Sequence, residues 1–183
     1  MTSILKADRV QSTSNGFVLP PAGGIIQTQY TQFTGTNTVS ISAATDTALT
    51  DLTVNITPVS TSSIIRIDAM VNGEWSDQNA AYDSVWFFFR DSTKLSHAAA
   101  GSRVVGIAMS TAISYHLQDQ ASTPELVTYS YFDTPSSTSQ ITYKVGVYQR
   151  DGDDWSLNKT VTDGDSSGYE RGTSFISVTE IAG

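Results

Sequence analysis

From Gly24 onward the chain is written in short alternations of apolar and polar residues. Leu52, Val54 and Ile56 face one way against Thr53, Asn55 and Thr57, and Ile141, Tyr143, Val145 and Val147 oppose Thr142, Lys144, Gly146 and Tyr148. A period of two is the signature of a strand with one wet face. Nine stretches carry the β-branched and aromatic residues that suit strands: GIIQTQYTQF, TVSISAA, LTDLTVNITP, SIIRIDAMVNGEW, YDSVWFFFR, VVGIAMSTAISYHL, ELVTYSYF, QITYKVGVY and TSFISVTEIAG. The links between them (TP, SS, NG, DS, TPSS, DGDD, DGDSSG) are turn chemistry. No stretch has a 3.6-residue apolar period, and SHAAAGS is short and broken by Gly101. About eight or nine strands at this spacing predict an all-β, two-sheet sandwich, with no βαβ pattern competing.

One strand breaks the alternation. In YDSVWFFFR the residues Val85, Trp86, Phe87, Phe88 and Phe89 are consecutive, so both faces carry large apolar groups. That requires a central position or a second dry surface outside the sandwich, unless one aromatic is simply half exposed. On the self-association reading, Trp86, Phe87, Phe88 and Phe89 are the candidates for a contact between chains.

The first 23 residues read differently. ILKADRVQSTSNGFVLPPAGG ends in Pro-Pro followed by Gly-Gly, fixed φ and then free φ, which places a boundary near Gly23 and Gly24. Residues 1–23 are either a disordered terminus or an extended arm that orders on a partner, with Ile4, Leu5 and Val10 as its anchoring groups.

Composition narrows the function. Only 15% of the 183 residues are charged, and 18 acids against 10 bases leave a net charge of −8. With no basic run, this argues against nucleic acid, whose phosphates need clustered Lys and Arg. Cys is absent, so neither disulfides nor thiolate metal sites are available. MTSILKADRVQ has no apolar core behind its charges and does not read as a signal peptide, and no run of ~18 apolar residues exists to insert into a membrane. Folding in the cytosol where the chain is made is the expectation, with any extracellular life reached by a route such as lysis.

Three chemistries compete for the acidic loop DGDDW. Asp151, Asp153 and Asp154 offer oxygens to Ca²⁺, but the twelve-residue loop with a terminal Glu is missing, and Asp-Gly also builds plain hairpin turns. Catalysis has little to stand on: His97 and His116 lie in no nucleophile-elbow or HExxH context, and a glycan hydrolase of this setting is expected to need a larger solenoid. No cofactor is expected, and the protein reads as no enzyme. Recognition is the third use, because carboxylates beside an indole can hold a sugar. Trp75, Asp153, Asp154 and Trp155 are therefore receptor-binding candidates, unless both indoles pack back on their own loops. Asn55 and Asn158 fit the glycosylation sequon, which without an export signal reads as chance.

Several phrases in order carry a resemblance: LTVNITPVSTSSIIRIDAMVNG, FFFRDSTKL, YFDTPSSTSQITYKVGVYQ, a loop leading to LNK, and a terminal SFISVTEIAG. Together they resemble the trimeric jelly-roll heads of tail fibres and related appendages of tailed phages, similar in architecture to the C1q and tumour-necrosis-factor fold. The opening MTSILKADRVQSTSNG looks like the leader that attaches such proteins to the particle. The resemblance implies an arm over 1–23 bound to other virion proteins and a single jelly-roll sandwich over 24–183. It also implies a homotrimer, assembled in the host cytoplasm and located in the virion. The function implied is a non-enzymatic short tail fibre that binds a host surface glycan. The alternative is a capsid decoration (cement) protein clamped to the shell by its arm, and a free carbohydrate-binding module is the outsider. Many relatives have a long repetitive shaft between leader and head. Here some 20 residues reach at most ~70 Å, which keeps the head close to its anchor.

Overall fold

The computed structural model describes residues 20–77, 80–110 and 122–183, and among them the chain is nearly all strand. The strands are β1 (Ile25–Phe33), β2 (Asn37–Ile41), β3 (Thr47–Ile56), β4 (Ile64–Trp75), β5 (Ser84–Arg90), β6 (Thr93–Leu95), β7 (Ala108–Met109), β8 (Glu125–Asp133), β9 (Ile141–Gln149), β10 (Asp153–Leu157) and β11 (Ser174–Ile181). One turn of 3₁₀ helix, Ala80–Asp83, precedes β5.

Two antiparallel sheets divide these strands. The first is organised by β4, which pairs with β8 along one edge. Gly73 of β4 pairs with both Glu125 of β8 and Leu157 of β10, so β10 continues the edge that β11 occupies over the earlier part of β4. β1 then borders β11, and β2 borders β10. The second sheet runs β3-β9-β5-β6, with β7 also on β5. The alternation read from the sequence decides which side is dry. Leu52, Val54 and Ile56, then Ile141, Tyr143, Val145 and Val147, meet Ile65, Ile67, Val71, Ile176 and Val178 in one buried cluster.

Each of the nine expected stretches contains a strand, with three differences. Within VVGIAMSTAISYHL only Ala108–Met109 is strand among the described residues, and the rest, including His116, lies largely in 111–121, outside them. β6 and β10 were not expected. In particular, the acidic turn is shorter than it reads: Asp153 and Asp154 are already strand, paired with Ile41 and Ser40 of β2.

The doubly apolar β5 obtains both dry faces inside the chain. Trp86 and Phe88 point into the core. On the other face, Phe87 packs on Gly146 and against Phe89, and Lys94 Nζ sits 4.0 Å from its ring centroid. The chain at Gly106 covers Val85, and Ile107 N–H donates to the Trp86 carbonyl. Trp86, Phe87 and Phe88 are fully buried and offer no surface to another chain, which corrects their reading as interface residues, while Phe89 is half-buried.

Buried carboxylates fasten the two ends of the first sheet. Glu180 accepts from Val59 N–H, Ser63 Oγ and Gln27 Nε2 at 2.6–2.7 Å. At the other end Glu74 accepts from Thr123 N–H and Oγ1 and from Val161 N–H. Gly23 N–H donates to the Ala182 carbonyl and Ala182 N–H to Gly24, so residues 23 and 24 join the sandwich beside the end of β11. The anchor candidates Ile4, Leu5 and Val10 lie in 1–19, outside the described residues.

A Cβ on Gly73 would lie 2.5 Å from the Ser156 carbonyl oxygen and 2.5 Å from Trp155 Cε2, and the backbone oxygen cannot step aside. Gly73→Ala should therefore lower stability by about 1–3 kcal/mol and the melting temperature by roughly 3–10 °C. An unchanged calorimetric melt would show that β4 and β10 are not packed this closely.

Candidate functional site

The chain's three tryptophans converge. Trp75 ends β4, Trp86 is in β5 and Trp155 in β10, with ring centroids 5.0–6.3 Å apart and two edge-on pairs. All three are essentially inaccessible. Trp75 and Trp155 are thus core residues and not receptor-facing tips. They stand directly opposite each other in the β4–β10 pairing, so both lie on the same, core-facing side of the sheet. Trp86 Nε1 donates to Ser110 Oγ at 2.9 Å, while Trp75 and Trp155 Nε1 find no partner among the described residues.

Outside this cluster lies the acidic turn. Gly152, at φ +80°, packs its α-carbon so near Ala43 that a Cβ would sit 2.8 Å from the Ala43 nitrogen. Gln149 Oε1 accepts from the amides of Asp151 and Gly152. The carboxylates are each engaged. Arg150 Nη2 bridges Asp151 at 2.8 Å and Asp83 at 3.0 Å, which holds the Asp151 carboxyl below its ordinary range. Asp153 Oδ2 accepts from Asp77 N–H and Asp154 Oδ1 from Ser40 Oγ. Partial burial pushes Asp153 upward, against the amides that hold it down. The basin these groups form, about 130 Å³, is lined by Asp77, Asp83, Asp151 and Asp153 with Arg150 among them. Among the described residues no group of three or more His, Asp or Glu is placed to hold a metal ion.

Asp83 also lines a second, larger depression of about 530 Å³ beside the edge of β5. Its walls are Tyr82, 55% exposed, Val104, 42% exposed, and Met109, 80% exposed, with Ser110 and Arg103 supplying polar groups. A third, about 330 Å³, shares Arg103 and Val104 and continues to Lys94, Asp46 and Tyr148. Acidic, apolar and basic depressions thus adjoin along one side. An exposed aromatic beside carboxylates, the arrangement expected of Trp155, is supplied by Tyr82. Tyr82 had no separate signal in the sequence, since it opens an aromatic run and differs from its neighbours only in where the 3₁₀ turn aims it. His97 is exposed, with Nδ1 2.6 Å from the Ala98 carbonyl. Asn158 and Thr160 are buried, and Asn158 Nδ2 donates to the carbonyls of Phe33 and Gly35, a structural use of that sequon.

At the indole end, Glu125 begins β8 opposite Gly73. Burial lifts its carboxyl from 4.5 to about 8, opposed by a hydrogen bond from the Trp75 backbone and reinforced by the nearby Glu74 charge.

A scan against protein-family models and a search of curated proteins each find no match to the chain.

Two outcomes follow for this end of the molecule. Between pH 4.5 and 8 folded Glu125 keeps a proton that the unfolded chain releases, so its contribution to stability falls as pH rises and levels off above 8. Glu125→Gln should remove that slope, gaining on the order of 2–4 kcal/mol relative to the parent between pH 5 and pH 8.5. Parallel urea midpoints across this range would refute it. Excess EDTA should leave the melting temperature unchanged; a fall of about 5 °C or more would restore a cation to the acidic turn.

Proposed function

We propose that the protein is a non-enzymatic structural protein of a phage particle, a jelly-roll head that assembles as a homotrimer and serves as a short receptor-binding tail fibre. The observation that carries this reading is polarity. Residues 23 and 24 join the sandwich at the start of β4, where Ile64 pairs with Ile181, and the depressions around Tyr82 and Asp151 lie past its far end at Trp75. The twelve residues of β4 separate these ends by roughly 35–40 Å. An arm attached at one end would present the other outward.

Strand order supports the jelly-roll reading: first strand beside last in β1-β11-β4-β8, facing β3-β9-β5-β6. Trimerisation is supported by the outer face of the first sheet. Register puts Thr28, Thr179, Arg66 and Phe132 in one row and Tyr30, Ser177, Asp68 and Ser130 in the next, with Gln32, Phe175, Met70 and Thr128 beyond. Tyr30 is 72% exposed, Phe132 60% and Leu126 59%, set among Thr28, Thr179, Ser177, Ser130 and Thr128 and around the Arg66–Asp68 ion pair. Large exposed apolar groups on a sheet face mark an interface more than a solvent surface. A binding role in place of catalysis is supported by the acidic turn, whose carboxylates are each tied to a backbone amide, a hydroxyl or Arg150.

Light scattering of the full chain should give about three times the 19.7 kDa chain mass. Tyr30→Glu combined with Phe132→Glu should release monomers of unchanged fold, because a charge buried unpaired at an interface costs several kcal/mol. A monodisperse monomer of the parent protein at micromolar concentration refutes the trimer. Deleting residues 1–22 should preserve trimer size while abolishing incorporation into particles. Gold labelling of intact particles locates the protein: a few copies at the tail support the fibre, and hundreds over the shell make it a capsid decoration protein.

A further inference from the structure

We propose that the joined depressions beside β5 bind an acidic saccharide, the Arg103 guanidinium taking its carboxylate and the Tyr82 ring its apolar face. This rests on the reading of the head as a saccharide binder and names the class of sugar. Among the described arginines, four are paired with carboxylates: Arg66 with Asp68, Arg90 with Asp133, Arg150 with Asp83 and Asp151, and Arg171 with Asp163. Arg103 is exposed, and among the described residues its side chain makes one hydrogen bond, Nη1 to the Ala100 carbonyl at 3.2 Å. In a chain of net charge −8, a guanidinium with no carboxylate partner among the described residues is the unusual feature.

Its position sharpens the point. Arg103 and Val104 line both the 330 Å³ and the 530 Å³ depressions, so the cation stands at their junction. The carboxylates on either side have cationic partners within the chain, Asp46 with Lys94 at 2.7 Å and Asp83 at 3.0 Å with Arg150, which it shares with Asp151. A guanidinium with free donors matches a carboxylate in a planar, two-pronged contact. Beside it, Tyr82 offers an accessible ring flanked by the Ser110 hydroxyl and by Met109. A pyranose acid presents both complements, an apolar C–H face and a carboxylate on the ring's rim. An acidic peptide shares only the second.

Calorimetric titration of the full chain with tetragalacturonate and with 3′-sialyllactose tests this, alongside the methyl esters of both and a hexaglutamate peptide. At least one acidic sugar should bind with Kd on the order of 0.1–1 mM, and its ester about tenfold or more weaker. Arg103→Ala should lose the same factor and Tyr82→Ala about three- to tenfold, each at unchanged melting temperature and oligomeric mass. Equal binding by Arg103→Ala, hexaglutamate binding as tight as the sugars, or no heat from either acid up to about 10 mM overturns the proposal. Esters that bind as well as the acids, with the binding still lost in Tyr82→Ala, overturn the acidic assignment alone and leave the head a saccharide binder. Labelling of particles is independent of all these arms.

Discussion

The packing of three indoles between the sheets is the interaction on which the rest of the molecule depends. Trp75 and Trp155 come from the first sheet and Trp86 from the second, so their contact fixes how the two sheets meet at this end. Burying a tryptophan removes 150–250 Å² from water, about 4–6 kcal/mol each at 25 cal/mol/Å². Two of the three N–H groups find no acceptor among the described residues, at a cost of about 1–3 kcal/mol each. Burial wins, which is why the indoles stay inside although polar residues flank them in the sequence. The third N–H reaches Ser110 Oγ, which also receives Ser84 Oγ, so the core itself holds a wall of the neighbouring depression.

Close backbone approach makes this packing possible. Gly73 leaves room for the Trp155 ring and Gly146 for the Phe87 ring, on opposite sheets. With Gly146, Lys94 and the chain near Gly106 covering its outer side, β5 becomes a buried strand without a partner molecule. The exposed apolar groups lie elsewhere, on the outer face of β1, β11, β4 and β8 and around the β5 edge. That redistribution moves the proposed trimer contact from the aromatic run to Tyr30, Leu126 and Phe132.

Charge is managed by position. Glu74 and Glu180 are wholly buried yet each accepts three hydrogen bonds, from loops and, for Glu180, also from Gln27 of β1, so they pin the ends of the first sheet instead of weakening it. The acidic turn is likewise a network, with Arg150 between Asp83 and Asp151. Carboxylates already satisfied in this way make a poor cation cage. What they leave open is a side of the molecule where the one described arginine without a carboxylate partner stands next to an exposed tyrosine.

Period-two alternation was enough to place most of the strands, β6 and β10 excepted, because a half-buried strand must sort its side chains by face. Leu52, Val54 and Ile56 lie inward as they read, as do Ile141, Tyr143, Val145 and Val147. Asp-Gly at 151–152 was legible as a turn, since its positive φ is a local property. The strand that follows was not: Asp153 and Asp154 pair with Ile41 and Ser40, more than a hundred residues away, and only the tertiary fold decides that pairing. It also decided which aromatic faces water. Trp155 and Tyr82 both stand beside acidic residues in the sequence, but Trp155 lies opposite Trp75 on the core side of the sheet and Tyr82 is turned outward by the 3₁₀ turn before β5. Composition and spacing specify which residues prefer burial; which of them obtain it depends on neighbours brought together from distant parts of the chain.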